Sequence, residues 1–118
     1  MSIKHYCARF WPLVWLALVS PASIAIEAYQ LIIEDHIFSP ARLVIPSNQK
    51  VRLVINNHDN VPEEFDSFDL NREKVIFPNR KAVIFIGPLP PGEYHYFGEF
   101  HPDSARGVIV VKEQANAN

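Results

Sequence analysis

Residues 92–102 read GEYHYFGEFHP and combine two histidines, two glutamates and four aromatic rings within eleven residues. Successive side chains of a β-strand point to opposite faces, so Tyr94 and Tyr96 share one face. Because they are the larger apolar surfaces, we expect both to face the core and His95 to face outward. The stretch after Gly98 carries Glu99 and His101, but no sulfur ligand. It therefore predicts a core strand that ends at a candidate metal site.

The rest of the sequence repeats this strand pattern. Short runs rich in β-branched and aromatic residues alternate with turn residues, and no stretch shows a sustained apolar stripe at helical period. Residues 46–50 are typical of a hairpin turn. The pattern predicts an all-β fold, a Greek-key sandwich of about seven strands. Seven runs fit strands, residues 29–34, 43–45, 51–55, 74–77, 82–86, 94–97 and 108–111, and residues 65–70 are a candidate for a further one.

The first 25 residues differ from the remainder and are typical of a signal peptide. Lys4 and Arg9 supply positive charge ahead of the apolar residues 10–19, a run too short to cross a bilayer. Small residues before Ala25 suit cleavage after that position. The sequence therefore predicts an exported protein with a leader at residues 1–25. An uncleaved N-terminal anchor is the alternative.

The predicted mature chain is one domain, residues 26–113, followed by a polar, disordered tail at residues 114–118. The only cysteine, Cys7, and the only methionine, Met1, lie in the leader, so the domain has neither thiolate nor thioether. Without Lys4 and Arg9 the chain keeps nine basic and thirteen acidic residues, a net charge of −4. This balance argues against a nucleic-acid partner.

Topology predicts that polar residues gather at one end of the sandwich. A turn at residues 47–49 marks one end, so the far ends of its two flanking strands lie at the other. We expect residues 35–36 and 56–64 to share that end. A Greek-key return would bring residues 98–106 there too. We call this end the pole.

These residues resemble the cupredoxins, the small copper-binding β-sandwiches. In that family a histidine follows an early Asn-Asn motif and Pro, and a later strand ends in Cys, followed by His and Met. Here residues 56–62, NNHDNVP, match the early motif, but Glu63 stands in the place of the histidine. In the later motif His101 matches, whereas Gly98 occupies the cysteine position and Arg106 the methionine position. The resemblance implies the cupredoxin fold without three of its four copper ligands.

A narrower resemblance is to the cupredoxin domain of EfeO-type and Ftr-type bacterial iron-uptake proteins. Residues 35–47, DHIFSPARLVIPS, residues 63–78, EEFDSFDLNREKVIFP, and residues 87–111, GPLPPGEYHYFGEFHPDSARGVIVV, carry it. It implies a periplasmic protein that handles iron beside an inner-membrane iron permease and other periplasmic subunits. It also implies copper as a second candidate cofactor, in the role of a redox partner.

The acidic and imidazole groups of the pole form the candidate metal site. Carboxylate and imidazole suit borderline and hard ions such as iron, whereas sulfur donors select cuprous copper. We expect crowding to raise the pKa of at least one carboxyl group and metal affinity to weaken on acidification. The predicted ligands are Glu63, Glu64, Glu99 and His101, with Glu73 and His36 as outer candidates.

Three functions are open at this point. The first is an iron-binding component of a ferrous-iron uptake system that delivers iron to the permease or helps to oxidise it. The second is a ferroxidase, an enzyme that passes the electron of ferrous iron to oxygen or a partner. The third is a docking module without metal, in which Glu63 and Glu64 are a solvated charge pair and His101 is a hydrogen-bonded loop histidine.

Overall fold

A computed structural model describes residues 2–4, 8–20 and 25–114 of the chain. In chain order its strands are β1 (Ala28–Glu34), β2 (Ile37–Ser39), β3 (Arg42–Pro46), β4 (Val51–Asn57), β5 (Glu63–Ser67), β6 (Arg72–Ile76), β7 (Lys81–Ile86), β8 (Gly92–Gly98) and β9 (Arg106–Lys112).

The strands form two sheets, and the predicted all-β sandwich is confirmed. The first sheet has the order β2-β1-β4-β7 and the second the order β3-β9-β8-β5-β6. Two pairs, β1 with β4 and β3 with β9, are parallel, and the remaining pairs are antiparallel. The described residues contain nine strands rather than about seven. The three-residue β2 was missed because it is shorter than any run that alternation can identify.

The predicted hairpin at residues 46–50 is wrong. Strand β3 pairs with β9 in one sheet, whereas β4 pairs with β1 and β7 in the other. The connection between β3 and β4 therefore crosses from one sheet to the other. Along β4, Val51, Leu53 and Ile55 alternate toward the core and are all fully buried.

Strand β5 begins and ends earlier than the predicted run at residues 65–70. It starts at Glu63 and stops at Ser67. The Ser67 hydroxyl accepts the backbone N–H of Leu70 at 3.1 Å and donates to the carbonyl oxygen of His95 at 2.7 Å, which turns the chain away from the sheet. Both Glu63 and Glu64 therefore lie within a strand, where they point to opposite faces.

The core fills the space between the two sheets. Its centre is an aromatic cluster in which the Tyr96 ring lies 4.9 Å from that of Phe65 and 5.0 Å from that of Phe38, between ring centroids. Tyr94 packs against the same core, and His95 is exposed, so the predicted alternation along β8 is confirmed. The aliphatic side chains around the cluster include Leu31, Ile33, Leu53, Ile55, Ile76 and Ile109.

The described part of the predicted leader, residues 2–4 and 8–20, contains no helix or strand. Within the residues that the structure covers, no helix has the length and hydropathy needed to cross a bilayer. The residues just before the predicted cleavage position, 21–24, lie outside the described residues, as do residues 115–118 of the predicted tail.

Candidate functional site

Three separate segments meet at the pole, as topology predicted. The carboxylate of Asp59, in the loop between β4 and β5, accepts the backbone N–H groups of Asp35 and His36 at 2.8 and 3.0 Å. The hydroxyl of Ser104, in the loop between β8 and β9, donates to the carbonyl oxygen of His36 at 2.8 Å. The turn between β1 and β2 is thus held from both sides.

Glu63 is the most buried acidic group of the pole, with a relative exposure of 1%. Its Oε1 accepts the backbone N–H groups of Phe100 and Glu64 at 2.9 and 3.0 Å. Its Oε2 lies 2.7 Å from His101 Nδ1. These three contacts replace the hydration that the Glu63 carboxylate loses on burial. Glu63 therefore ties the start of β5 to the loop after β8.

His101 and His36 form a stacked pair at the surface of the pole. Their ring centroids are 3.6 Å apart and the rings are inclined by 12°. The Nδ1 atom of each ring faces a carboxylate: that of Glu63 for His101, and that of Asp59, at 3.5 Å, for His36. The two side chains are 30% and 41% exposed. When Nδ1 carries the proton toward the carboxylate, Nε2 keeps a lone pair for another ligand.

Asp59 is the anion that positions His36. Burial alone would raise its pKa, but the backbone N–H groups of His36 and Asp35, together with the two histidine rings, hold the pKa of this carboxyl below its ordinary value. The folded protein thus binds a proton at Asp59 less readily than the unfolded chain does. The carboxylate stabilises the fold above the unfolded pKa, and this contribution is lost as pH falls through the folded pKa.

We expect Asp59→Asn to lower the free energy of unfolding by about 1–2 kcal/mol at pH 7, because a charged acceptor of two backbone donors becomes a neutral one. Urea unfolding at pH 7 and at pH 3 measures the effect. The difference between variant and parent should shrink at pH 3. Asp103→Asn is the control, since the Asp103 side chain makes no hydrogen bond or ion pair among the described contacts. A difference of equal size at both pH values would contradict this role of the charge.

The other predicted ligands lie elsewhere, and the expected convergence of Glu63 and Glu64 is wrong. Because β5 runs through both, Glu64 faces outward on the five-stranded sheet, as does Glu73, which is paired with Asp66. Partial burial raises the pKa of Glu64, and the nearby charges of Glu73, Asp66 and Glu99 raise it further. A raised pKa was expected for a carboxyl group at the pole, whereas Glu64, the group that has one, faces outward from the five-stranded sheet.

The six predicted donors are therefore divided into two sets. Glu63, His101 and His36 meet at the pole, whereas Glu64 and Glu73 face outward from the five-stranded sheet and Glu99 lies near Glu64. In residues 2–4, 8–20 and 25–114 no three His, Cys, Asp or Glu side chains stand in an arrangement that could hold a metal ion.

Asp59 is the site residue that sequence reasoning missed. At the level of sequence it is only one letter of the early motif NNHDNVP, beside His58, which is exposed. A useful signal was its place in the loop after Asn56 and Asn57. The buried Asn57 side chain donates to the carbonyl oxygen of Val61 at 2.8 Å and accepts the N–H of Asp59 at 2.9 Å, which shapes this loop.

Gly98 shows why Glu63 can be buried here. A Cβ atom added to Gly98 would lie 2.6 Å from Glu63 Cδ and 2.7 Å from the Ala105 methyl group. Both distances are shorter than any normal contact between such atoms. The Glu63 carboxylate thus fills the space that a side chain at position 98 would need.

Comparisons with known proteins agree with this architecture. A family profile described as a cupredoxin-like domain matches residues 8–111. An uncharacterised protein of Rickettsia prowazekii is 44% identical over 84 residues, which cover 71% of this chain and 67% of that protein.

Solved structures of copper proteins have a similar fold. A purple cupredoxin from Nitrosopumilus maritimus is 24% identical, with a TM-score of 0.55 over 70% of this chain and 98% of its own. Auracyanin A, a blue copper protein from Chloroflexus aurantiacus, is 13% identical, with a TM-score of 0.64 over 75% of this chain and 100% of its own. At these identities the likeness extends to the fold alone.

The residues at the pole do not fit a blue-copper centre. Such a centre needs a thiolate, and the chain has no cysteine after Cys7. The space for a side chain at Gly98 is filled by the Glu63 carboxylate, and that carboxylate already accepts three hydrogen bonds. Oxygen and imidazole donors remain, which are the ligands of harder ions.

Proposed function

This chain belongs to the family of cupredoxin-like domains, and from that premise we propose that it is a periplasmic iron-binding component of a bacterial ferrous-iron uptake system. Iron is its cargo, which it delivers to an inner-membrane permease. One observation carries the proposal: His36 and His101 lie side by side at the surface, and the Nδ1 atom of each faces a carboxylate.

The carboxylates that face Nδ1 of His36 and His101 prepare both imidazole rings for metal binding. Histidines that bind metals commonly donate their second ring N–H to a carboxylate, which orients the ring and makes the free nitrogen more basic. Imidazole is a good ligand for ferrous iron. The charges of Glu63 and Asp59 also offset that of a bound cation. Once one ring rotates out of the stack, so that both in-plane lone pairs point at one ion, the two Nε2 atoms would supply two protein ligands and water the others.

An ion held by two imidazoles and water is easily passed on, which fits delivery better than storage. A site closed by four protein ligands, by contrast, is typical of a structural metal. The outward-facing Glu64, Glu73 and Glu99 are not required for this site. Their negative charge would instead raise the local concentration of cations around the pole.

The partner would dock on the pole itself. Ile37, Val61 and Phe100 are large apolar side chains with about half of their surface exposed, and each lies in one of the three segments that form the pole. Exposed apolar side chains that gather beside polar groups are typical of protein interaction sites. We place the contact with the permease, or with another periplasmic subunit, on this surface.

Calorimetric titration of the protein with ferrous iron under anaerobic conditions tests the metal site. We expect one ion per chain, and His36→Ala should weaken binding at least about tenfold, since it removes one of two ligands. For the second ligand, His101→Gln is preferable to alanine, because the amide can still donate to the buried Glu63. Cupric ion should bind more tightly than ferrous ion, as for nearly all nitrogen sites.

His58→Ala is the matched control. His58 is also exposed and lies in the loop that contains Asp59, but among the described residues it takes part in neither the ring stacking nor the carboxylate pairs of His36 and His101. The His58→Ala variant should bind ferrous iron with the same affinity as the parent. If His36→Ala and His101→Gln bind iron as tightly as the parent, the site is not at the pole. If none of these proteins binds iron, the proposed function fails.

A further inference from the structure

A cleft of about 450 Å³ lies on the outer face of the five-stranded sheet, over β8 and β9. Its walls come from the turn after β5, from β8 and from the loop that leads into β9. The pole side chains Glu63, His101, His36 and Asp59 do not line this cleft. The side chains that define it are Phe68, Asp69, His95, Phe97, Pro102 and Arg106.

Two aromatic rings form the apolar wall of the cleft. Phe68 and Phe97 contact each other with ring centroids 5.6 Å apart and planes inclined by 47°. Phe68 is 80% exposed, the highest exposure of any large apolar side chain in residues 25–114. Covering an aromatic ring that is left in water is favourable, because it removes apolar surface from the solvent. The wall is therefore suited to the flat face of a ligand.

Arg106 supplies a positive charge beside this wall. It is the cross-strand neighbour of Phe97 in the register of β8 and β9. Its Nε donates to the carbonyl oxygen of Pro102 at 2.7 Å, which holds the guanidinium in place. Within the part of the chain that the structure describes, no ion pair involves Arg106. Its remaining N–H groups can therefore bind an anion in the paired geometry that guanidinium prefers.

The opposite end of the cleft is negative. Asp69 Oδ2 accepts the backbone N–H of His95 at 2.8 Å. His95 lies two residues before Phe97 on β8, so the carboxylate is displaced along the strand from the Arg106 end. A bound molecule thus meets a cation at one end, aromatic rings in the middle and an anion at the other. This polarity permits only one orientation of a ligand that carries a single negative charge.

From this arrangement we propose that the cleft binds a small aromatic carboxylate. Its ring packs on Phe68 and Phe97, and its carboxylate pairs with Arg106. The volume lies in the range of small-molecule sites and is too small for a folded partner. Aromatic stacking and a bidentate ion pair are both directional, so together they select for a ring and an acid in one molecule. The inference does not depend on iron binding at the pole.

Phenylacetate is a suitable probe, followed by amide chemical shifts in NMR spectra of the full chain. We expect saturable shifts at Phe68, Phe97 and Arg106, with a dissociation constant on the order of 1 mM. Arg106→Gln should weaken binding about tenfold, the usual loss for a charged hydrogen bond. Arg106→Lys keeps the charge but cannot form two parallel hydrogen bonds to a carboxylate, so its affinity should lie between those of the parent and Arg106→Gln. Phe68→Ala should also weaken binding.

Two ligands and one variant act as controls. Cyclohexylacetate keeps the carboxylate but has no aromatic ring, and phenethylammonium keeps the aromatic ring but carries a positive charge. Both should bind more weakly than phenylacetate. Arg42→Gln removes an arginine on the same sheet face that is already paired with Glu93 at 3.6 Å, and it should leave the affinity unchanged. Urea unfolding shows that each variant is folded. Equal binding of phenethylammonium, an equal loss in Arg42→Gln, or no saturable shift would each overturn the proposal.

Discussion

Glu63→Ala is expected to lower the free energy of unfolding by about 3–5 kcal/mol, because it leaves buried hydrogen-bond donors without an acceptor and creates a cavity. The substitution leaves two backbone N–H groups and His101 Nδ1 without their acceptor in a place that water reaches poorly. It also leaves a cavity beside Gly98. Urea unfolding followed by circular dichroism measures the loss. A domain of this size is stable by only about 5–15 kcal/mol, so the variant should be close to unfolding.

Glu64→Ala is the matched control, because it removes the same side chain from the next position of the same strand. Glu64 faces outward among like charges, so its removal should not lower stability. Glu63→Gln separates the effect of charge from that of shape. The glutamine side chain fills the same space, but its NH₂ group is a donor where an acceptor is needed. We expect this variant to lose less unfolding free energy than Glu63→Ala. If Glu63→Ala and Glu64→Ala unfold at the same urea concentration, the buried network does not stabilise the fold.

Gly98→Ala is expected to cost about 1–3 kcal/mol, as other insertions of a methyl group into a packed core do. The added methyl group would overlap Glu63 Cδ and the Ala105 methyl group. The loop between β8 and β9 cannot easily retreat, since Gly98 N–H donates to Ala105 O at 2.8 Å and Ala105 N–H donates to His101 O at 2.9 Å. The same urea unfolding experiment gives the cost.

A double-mutant cycle isolates the contact between the two residues. In the Glu63→Ala background the carboxylate no longer occupies the space, so Gly98→Ala should cost less than it does alone. Strictly additive losses would show that Glu63 does not fill the side-chain position at 98. The cycle also tests why a blue-copper centre does not fit, since a cysteine at 98 would meet the same carboxylate.

Much of the fold could be predicted from the sequence because alternation is local. Tyr94, His95 and Tyr96 take the faces that their parity indicates, and Val51, Leu53 and Ile55 do the same on β4. The alternation of buried and exposed residues does not say which sheet a strand joins, however. The turn at residues 46–50 therefore looked like a hairpin, although β3 and β4 lie in different sheets.

The candidate site was only partly predictable. Its place at one end of the sandwich followed from the turns, and Glu63, His36 and His101 do meet there. The grouping of Glu64 with Glu63 failed because β5 begins at Glu63 itself, so alternation separates adjacent side chains. The carboxylate facing His36 was missed because Asp59 lies 23 residues away in the sequence. No short spacing rule connects positions so far apart.

The parallel pairing of β3 with β9 has a consequence for how the chain acquires its structure. Strand β3 has β9 as its one hydrogen-bonded neighbour, and Arg42 is paired with Val108, 66 residues further on. The loop to be closed is long, and its entropy is lost before any contact compensates for it. While the protein is being synthesised, the second sheet cannot close until residue 112 has emerged. Until then β3 lacks its hydrogen-bonded partner, and the core lacks Ile109 and Val111 of β9.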